Sequence, residues 1–210
     1  MLAAGPVVDA VIGVHPLGLA IALLVVMLGA AVQGSIGFGL GLLAAPVLGI
    51  IDPDFLPVTV VATVIPLGFG VVLHDHVHIV WREVAFAIAG RVPGVLIGTW
   101  LVHRLGTRAI SVVIAVSVLL AVLGSITSFR FRPTPRNLVI AGLASGVTGT
   151  ASGIGGPPMA LTYQHADPTA LRATLSGYFA IGAVLSFLAL LVGGEVGRRE
   201  MQLTGLLLPA

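Results

Sequence analysis

The sequence predicts an all-α integral membrane protein made of two four-helix-type repeats, each of which opens with a glycine-broken helix. Three observations support this: the composition, a series of long runs without charge, and a glycine cluster that occurs twice. Of the 210 residues, 57% are hydrophobic and 9% are charged, and the mean hydropathy is +1.12. A soluble domain carries about 25% charged residues, so this chain has too few charges to cover a water-exposed surface.

Charged residues divide the chain into long apolar runs. These runs are 17–51, 55–73, 84–102 (with Arg91 as its one charge), 109–129, 137–164, 173–194 and 201–210. About 20 helical residues cross a bilayer core, and only a helix or a closed barrel satisfies its backbone there. The runs 17–51 and 137–164 are too long for one simple crossing, so each must tilt, break or fold back.

The two long runs contain matching glycine clusters, at 33–46 and at 146–158. At one constant offset, Gly34, Gly37, Gly41 and Pro46 align with Gly146, Gly149, Gly153 and Pro158. Asp52-Pro53 then aligns with Asp167-Pro168 at a slightly larger offset. These ordered matches predict an internal repeat, with units at 1–129 and 130–210. By analogy with the first unit, we expect the second to be incomplete at its C-terminus.

The orientation of the helices depends on how the broken runs are read. If each makes one net crossing, the repeats are parallel and the arginine-rich side is cytoplasmic. One side then holds Arg82, Arg130, Arg132, Arg136, Arg198 and Arg199, and the other holds Arg104, Arg108 and Arg172. If the broken runs are re-entrant hairpins instead, the arginines divide five to four and do not indicate an orientation.

The glycine clusters carry a family resemblance. Gln33-Gly34, Gly37-Phe38-Gly39 and Pro46, with the later stretch from Gly149 to Pro158, resemble the sulfite exporter TauE/SafE family, also called the toluene sulfonate uptake permease family. The resemblance covers nearly the whole chain and departs from the family pattern at the shortened end. It implies a multi-pass permease of the bacterial inner membrane for sulfur-containing anions such as sulfite or organosulfonates.

An anion at membrane depth needs hydrogen-bond donors, which broken helices can supply through exposed N–H groups and helix-dipole ends. Glycines without a Cβ let an oxyanion approach the backbone. The candidate substrate-binding residues at the two breaks are Gln33, Ser35, Gly37, Phe38, Gly39, Thr148, Thr150, Ser152 and Gly153. The alternative is that the glycines only allow close helix packing, as small residues do in membranes.

Three further residues are substrate-binding candidates. Arg91 is the one charge inside its apolar run, and its guanidinium fork fits sulfite or sulfonate oxygens; alternatively, it snorkels to the interface or caps carbonyls beside Pro93. Arg172 is placed to guide anions, or else anchors the helix end and pairs with Asp167. Tyr178 is placed to line the pathway, or else only packs.

Other functions are less well supported by the sequence. His74, His76 and His78 share one side of a strand but not of a helix, so we interpret them as an interfacial loop rather than a metal or proton-sensing site. The chain has no Cys, and its arginines form no basic face for nucleic acid. We expect no catalysis, no cofactor and no metal; the partners are the lipid bilayer and a small anion, and the oligomeric state is open. The alternative function is a passive channel for anions or small solutes.

Overall fold

A computed structural model describes residues 13–104, 132–164 and 166–209, together with the isolated positions 112, 115, 116 and 119. The three continuous ranges contain eight α-helices and two short 3₁₀ turns. The helices are α1 (Pro16–Ile36), α2 (Leu40–Ile51), α3 (Val58–Asp75), α4 (Trp81–Arg104), α5 (Pro135–Ser152), α6 (Gly156–Thr162), α7 (Pro168–Val192) and α8 (Arg198–Leu207). The predicted repeat boundary at 129/130, with Arg108 and Arg130, lies outside the described residues.

The predicted all-α membrane class is confirmed. The described ranges contain no strand. Four helical segments are long and apolar enough to cross a bilayer, namely Pro16–Ile36, Pro53–His78, Trp81–Arg104 and Pro168–Val192. Large apolar side chains also point outward, among them Leu24, Ile50 and Leu96. A soluble protein rarely exposes so much apolar surface, whereas lipid is its natural solvent.

The first long run folds back on itself as a helical hairpin. At the end of α1, Gly37 adopts a left-handed conformation (φ 94°), and its N–H donates to the carbonyl of Gln33 at 2.7 Å. From there α2 returns along α1, because Gly29 faces Leu40 while Gly18, nearer the start of α1, faces Ile51. The hairpin therefore begins and ends on the same side of the protein.

The second long run makes an equivalent hairpin from α5 and α6. Gly153 ends α5 in a left-handed conformation (φ 77°), and its N–H donates to the carbonyl of Gly149 at 3.0 Å. The Ser145 hydroxyl donates to the carbonyl of Gly155 at 2.6 Å, across the break. In backbone conformation, the residue equivalent to Gly37 is Gly153. The sequence overlay paired Gly37 with Gly149, which lies one helical turn earlier.

Helices α4 and α5 run parallel and pack through glycines. An added Cβ at Gly90 would overlap the carbonyl of Val139, and one at Gly98 would lie 2.8 Å from the carbonyl of Val147. Between them, Gly94 and Gly146 approach through their Cα atoms. Small residues spaced four apart allow this close backbone contact, which drives helix association in lipid.

Contacts at the helix ends show that the single-crossing orientation is wrong. That scheme put Arg199 and Asp52 on opposite sides, yet Arg199 forms ion pairs with Asp52 and, at 2.7 Å, with Asp54. It also separated Arg172 from the end of α3, where Arg172 pairs with Asp75 at 3.3 Å. These contacts agree with the hairpin alternative, in which arginine counts do not set the orientation.

The two hairpins start from opposite sides of the protein. Helix α1 begins on the side that holds Asp52 and Arg199, since Gly18 packs beside Ile51 just before Asp52. Helix α5 runs parallel to α4, so it begins on the other side of the protein. The end of α6 lies on that side too, because the Tyr163 hydroxyl donates at 2.7 Å to Glu83, near the start of α4. The described halves are therefore inverted relative to each other, a common arrangement in secondary transporters.

Candidate functional site

The two helix breaks meet inside the protein. An added Cβ at Gly41, at the start of α2, would overlap the carbonyl of Gly153 at the end of α5. One at Gly156 would lie 2.8 Å from the ring of Phe38. Only residues without a side chain allow this approach, so the sequence brings the backbones of both breaks into direct contact.

A small cavity of about 30 Å³ lies where the breaks meet. Its lining comes from both hairpins and from α3, α4 and α7: Gln33, Phe38, Gly39, Gly41, Leu42, Val61, Val64, Arg91, Gly149, Gly153, Gly155, Gly156, Phe179 and Ala183. A water molecule needs about 10–15 Å³, so the cavity holds roughly two water-sized groups in this conformation. Most of its wall is apolar or glycine backbone.

Arg91 brings the cationic group to this cavity. It lies ten residues into α4, about 15 Å along the helix from Trp81, and it is 3% exposed. Its Nη1 donates to the hydroxyls of Tyr178 at 3.0 Å and Ser145 at 3.2 Å, and its Nη2 donates to that of Ser186 at 3.3 Å. Residues from α5 and α7 therefore fix the guanidinium near the middle of the helix.

Aromatic rings and a glycine complete the arginine's surroundings. The guanidinium carbon lies 5.0 Å from the ring centre of Tyr178 and 5.7 Å from that of Phe179, within cation–π range. Gly182 lies against the side chain, and an added Cβ there would overlap Nε. The path of the arginine across α7 therefore depends on this glycine.

No described carboxylate neutralises Arg91. Six of the described acidic residues pair with arginine, histidine or tyrosine or cap a helix near helix ends, namely Asp52, Asp54, Asp75, Glu83, Asp167 and Glu195. The seventh, Glu200, lies in the first turn of α8. In the described residues, Nε of Arg91 and Nε2 of Gln33 are buried without a hydrogen-bond partner. Both side chains line the cavity, so the site has an uncompensated positive charge and two unused donors.

Gln33 is held at the cavity by the first break itself. Its Oε1 accepts a hydrogen bond from the backbone N–H of Leu40 at 3.3 Å, at the start of α2. The side chain is 4% exposed. Because the carbonyl oxygen of the amide is engaged by Leu40, its NH₂ group is the part left for a ligand.

The structure brings five of the twelve predicted site residues to the cavity: Gln33, Phe38, Gly39, Arg91 and Gly153. Tyr178 lies directly behind it and contacts Arg91. Thr150 is connected to Arg91 through Ser186: its hydroxyl lies 2.8 Å from the Ser186 hydroxyl, which accepts a hydrogen bond from Arg91.

The other predicted residues lie away from the cavity. The hydroxyls of Ser35, Thr148 and Ser152 donate to carbonyls four residues earlier in their own helices, at 2.7, 3.0 and 2.7 Å. Gly37 packs against the backbone of Arg172, whose side chain pairs with Asp75 at the protein's end. Arg172 thus contacts the outside of the first break rather than the cavity.

Sequence reasoning missed several residues that shape the site: Ser145, Gly149, Gly155, Gly156, Phe179, Gly182 and Ser186. A signal was present in the spacing. Ser145 and Gly149 are four residues apart, as are Gly182 and Ser186, so each pair forms a small polar stripe on one helix face. Such stripes mark faces that accept a bulky neighbour, here the Arg91 side chain.

The histidines at the end of α3 do not form a ligand set in the described ranges. His74 is the penultimate residue of α3, and His76 and His78 lie in the 3₁₀ turn that follows. All three are exposed. No group of three His, Cys, Asp or Glu side chains able to hold a metal ion occurs among the described residues.

Comparison with known proteins decides the family. The family model described as Sulfite exporter TauE/SafE matches residues 21–210. The chain belongs to the TauE/SafE family. This confirms the resemblance carried by the glycine clusters and makes the protein a membrane permease from a transporter family, not an enzyme family. No curated protein and no solved structure matches the chain.

Proposed function

We propose that this TauE/SafE member is a secondary permease of the bacterial inner membrane that moves sulfite or an organosulfonate. The substrate anion binds between the two helix breaks, where the cavity must widen beyond the roughly two water-sized groups that it holds in this conformation. The observation that carries the proposal is the buried Arg91 guanidinium, which faces this cavity with neutral partners and no described carboxylate.

The energetic argument starts from the cost of this arginine. An arginine at the centre of a membrane helix costs about 2.5–3.5 kcal/mol on insertion scales. A carboxylate partner would lower that cost, and in its place the fold supplies three hydroxyls and two rings. An anionic substrate would complete the charge balance and use the free Nε of Arg91 and Nε2 of Gln33. A guanidinium edge matches two oxygens of a sulfonate group.

The transport cycle follows from the size and symmetry of the site. A cavity of about 30 Å³ is too small to serve as an open pore for a hydrated anion. The anion must therefore enter and leave by movement of the breaks. The described halves are inverted relative to each other. Movement of one half therefore exposes the site to one face of the membrane, and the equivalent movement of the other half exposes it to the opposite face.

Flux in proteoliposomes tests the proposal. We expect purified protein to take up ³⁵S-labelled sulfite or methanesulfonate with saturation and with counterflow. Arg91→Gln should abolish uptake, while the matched control Arg82→Gln, on the exposed first turn of the same helix, should retain it. Uptake of neither anion by the wild type would refute the proposal. Uptake that never saturates, with single-channel currents, would indicate a passive channel instead.

A further inference from the structure

Few charged or titratable side chains surround the cavity in the described ranges. Around Arg91, α5 contributes Ser145, α7 contributes Tyr178 and Ser186, and the first break contributes Gln33. Tyr178 is the one titratable group among these neighbours. The cavity lining as described contains no acidic residue and no second basic residue.

None of the other described arginines lines the cavity. Arg172 and Arg199 form ion pairs at opposite ends of the protein. The others lie at or beside helix ends and are exposed: Arg82, Arg104, Arg132, Arg136 and Arg198. Within the described ranges, the site therefore offers a ligand one positive charge.

From this balance we infer that the species transported is a monoanion, and that the site rejects dianions. The inference rests on the proposed function and narrows its substrate class. A monoanion beside Arg91 gives a neutral buried pair. A dianion would leave one negative charge without a partner in the apolar interior, and an uncompensated buried charge is strongly unfavourable. We expect at least about a hundredfold preference for the monoanion on that ground.

The lining of the cavity agrees with the same class. Its two unused donors, Nε of Arg91 and Nε2 of Gln33, can serve two oxygens of one sulfur oxyanion. The other side chains that line the cavity are apolar, with Phe38, Phe179 and Val64 among them. These side chains suit the methyl group of methanesulfonate or the lone-pair face of bisulfite, and they offer no donor for the additional charge of a dianion.

Substrate chemistry makes the inference testable by pH. Methanesulfonate is a monoanion at every physiological pH, and sulfate is a dianion. Sulfite exchanges between the bisulfite monoanion and the sulfite dianion near neutrality. The inference therefore separates three anions of similar size by charge alone. Sulfite changes from a monoanion to a dianion within the pH range of the experiment.

The experiment measures initial uptake of the three ³⁵S-labelled anions in proteoliposomes from mildly acidic to mildly alkaline pH. Protein-free liposomes correct for diffusion of sulfur dioxide. We expect methanesulfonate uptake to stay level, sulfite uptake to fall in proportion to the bisulfite fraction, and sulfate to compete at least about a hundredfold more weakly. Sulfite uptake that is level or rises with pH, together with effective competition by sulfate, would overturn the inference but leave the proposed permease intact. Absence of uptake for all three anions would remove both.

A charge-gain variant gives an independent readout. Gln33→Lys places a second cation at the cavity, and we expect sulfate uptake at least about tenfold above wild type. The matched control Gln164→Lys adds the same charge at an exposed position after α6 and should leave sulfate excluded. If Gln33→Lys melts like the wild type and still excludes sulfate, the number of cavity charges does not select the anion and the inference is wrong.

Discussion

The Arg91 Nη1 atom lies 3.0 Å from the hydroxyl oxygen of Tyr178, and the guanidinium carbon lies 5.0 Å from the centre of the same ring. One aromatic residue thus holds the buried cation by two different interactions. Arg91 belongs to α4 of the first half, and Tyr178 to α7 of the second half. Their contact couples the inverted halves at the candidate substrate site.

Removing the Tyr178 hydroxyl separates these two interactions. Tyr178→Phe keeps the ring under the guanidinium but removes a hydrogen bond with a charged partner, which is worth about 1.5–3 kcal/mol. We expect methanesulfonate uptake at low concentration to fall at least about tenfold, with a small change in melting temperature. Measurement of the concentration dependence should place the loss mainly in apparent affinity.

The chain's other tyrosine provides the control. Tyr163 donates to Glu83 at the protein's end. Burial, and to a lesser extent this hydrogen bond, raises the pKa of Tyr163, so its hydroxyl stays protonated. Tyr163→Phe removes the same atom without touching Arg91, and uptake should stay within about twofold of wild type. Equal losses in both variants would show that Tyr178 acts through general stability rather than through Arg91.

Gly182 should be essential for transport although it contributes no polar atom. A Cβ at this position would overlap Arg91 Nε, so Gly182→Ala must displace the guanidinium from its three hydroxyl partners. We expect the variant to fold and to lose about tenfold or more of its uptake. Gly70→Ala is the control, since a Cβ at this exposed helical site on α3 meets no atom within 4 Å. Normal uptake by Gly182→Ala would mean that Arg91 need not cross α7 as it does here.

Some of these features were predictable from the sequence, and the reasons differ by residue. Arg91 was evident because a charge inside an apolar run is rare. Asp52 and Asp167 were paired by their following prolines, and both accept backbone N–H bonds at the start of a helical segment. The hydroxyls of Ser35 and Thr148 were misleading as donors, because in a helix such groups bond to their own backbone.

The direction of the broken runs was not predictable. Hydropathy measures how apolar a segment is and contains no sign of direction, so one crossing and a hairpin fit residues 17–51 equally well. The choice depends on contacts between distant residues, such as Gly18 with Ile51 and Arg199 with Asp52. For the same reason the partnership of Ser145 and Ser186 with Arg91 lay beyond sequence spacing.

The left-handed glycine at the second break should contribute to stability in two ways. Gly153→Ala forces alanine to φ 77°, which costs about 1–2 kcal/mol, and it places a Cβ 2.7 Å from Cγ1 of Val60, which adds about 1–3 kcal/mol of overpacking. Gly194 also has positive φ (79°) but meets no atom within 4 Å. Gly194→Ala should therefore lower the melting temperature less. Equal shifts in detergent would show that Val60 moves aside freely.

Helix propensity and packing make opposite predictions for Gly142 in α5. Alanine is a better helix former than glycine by about 1 kcal/mol, yet a Cβ here would overlap the Ala87 carbonyl of α4. We expect packing to prevail, so that Gly142→Ala lowers the melting temperature. Gly205→Ala in α8 meets no atom within 4 Å and should be neutral or stabilising. A stabilised Gly142→Ala would mean that α4 and α5 are not in backbone contact.

The inverted arrangement makes a sharp prediction about sidedness. The natural chain has no cysteine, so single cysteines report their own positions. Asp54→Cys and Arg198→Cys should react with an impermeant maleimide from one side of the membrane, because the Asp54 and Arg199 side chains meet. His76→Cys and Thr169→Cys should react from the opposite side, because Asp75 meets Arg172. Labelling in right-side-out and inverted vesicles, with unaltered protein as the blank, measures this. If Asp54→Cys labels with Thr169→Cys instead, each broken run makes one net crossing, and the movement of inverted halves proposed for transport has no basis.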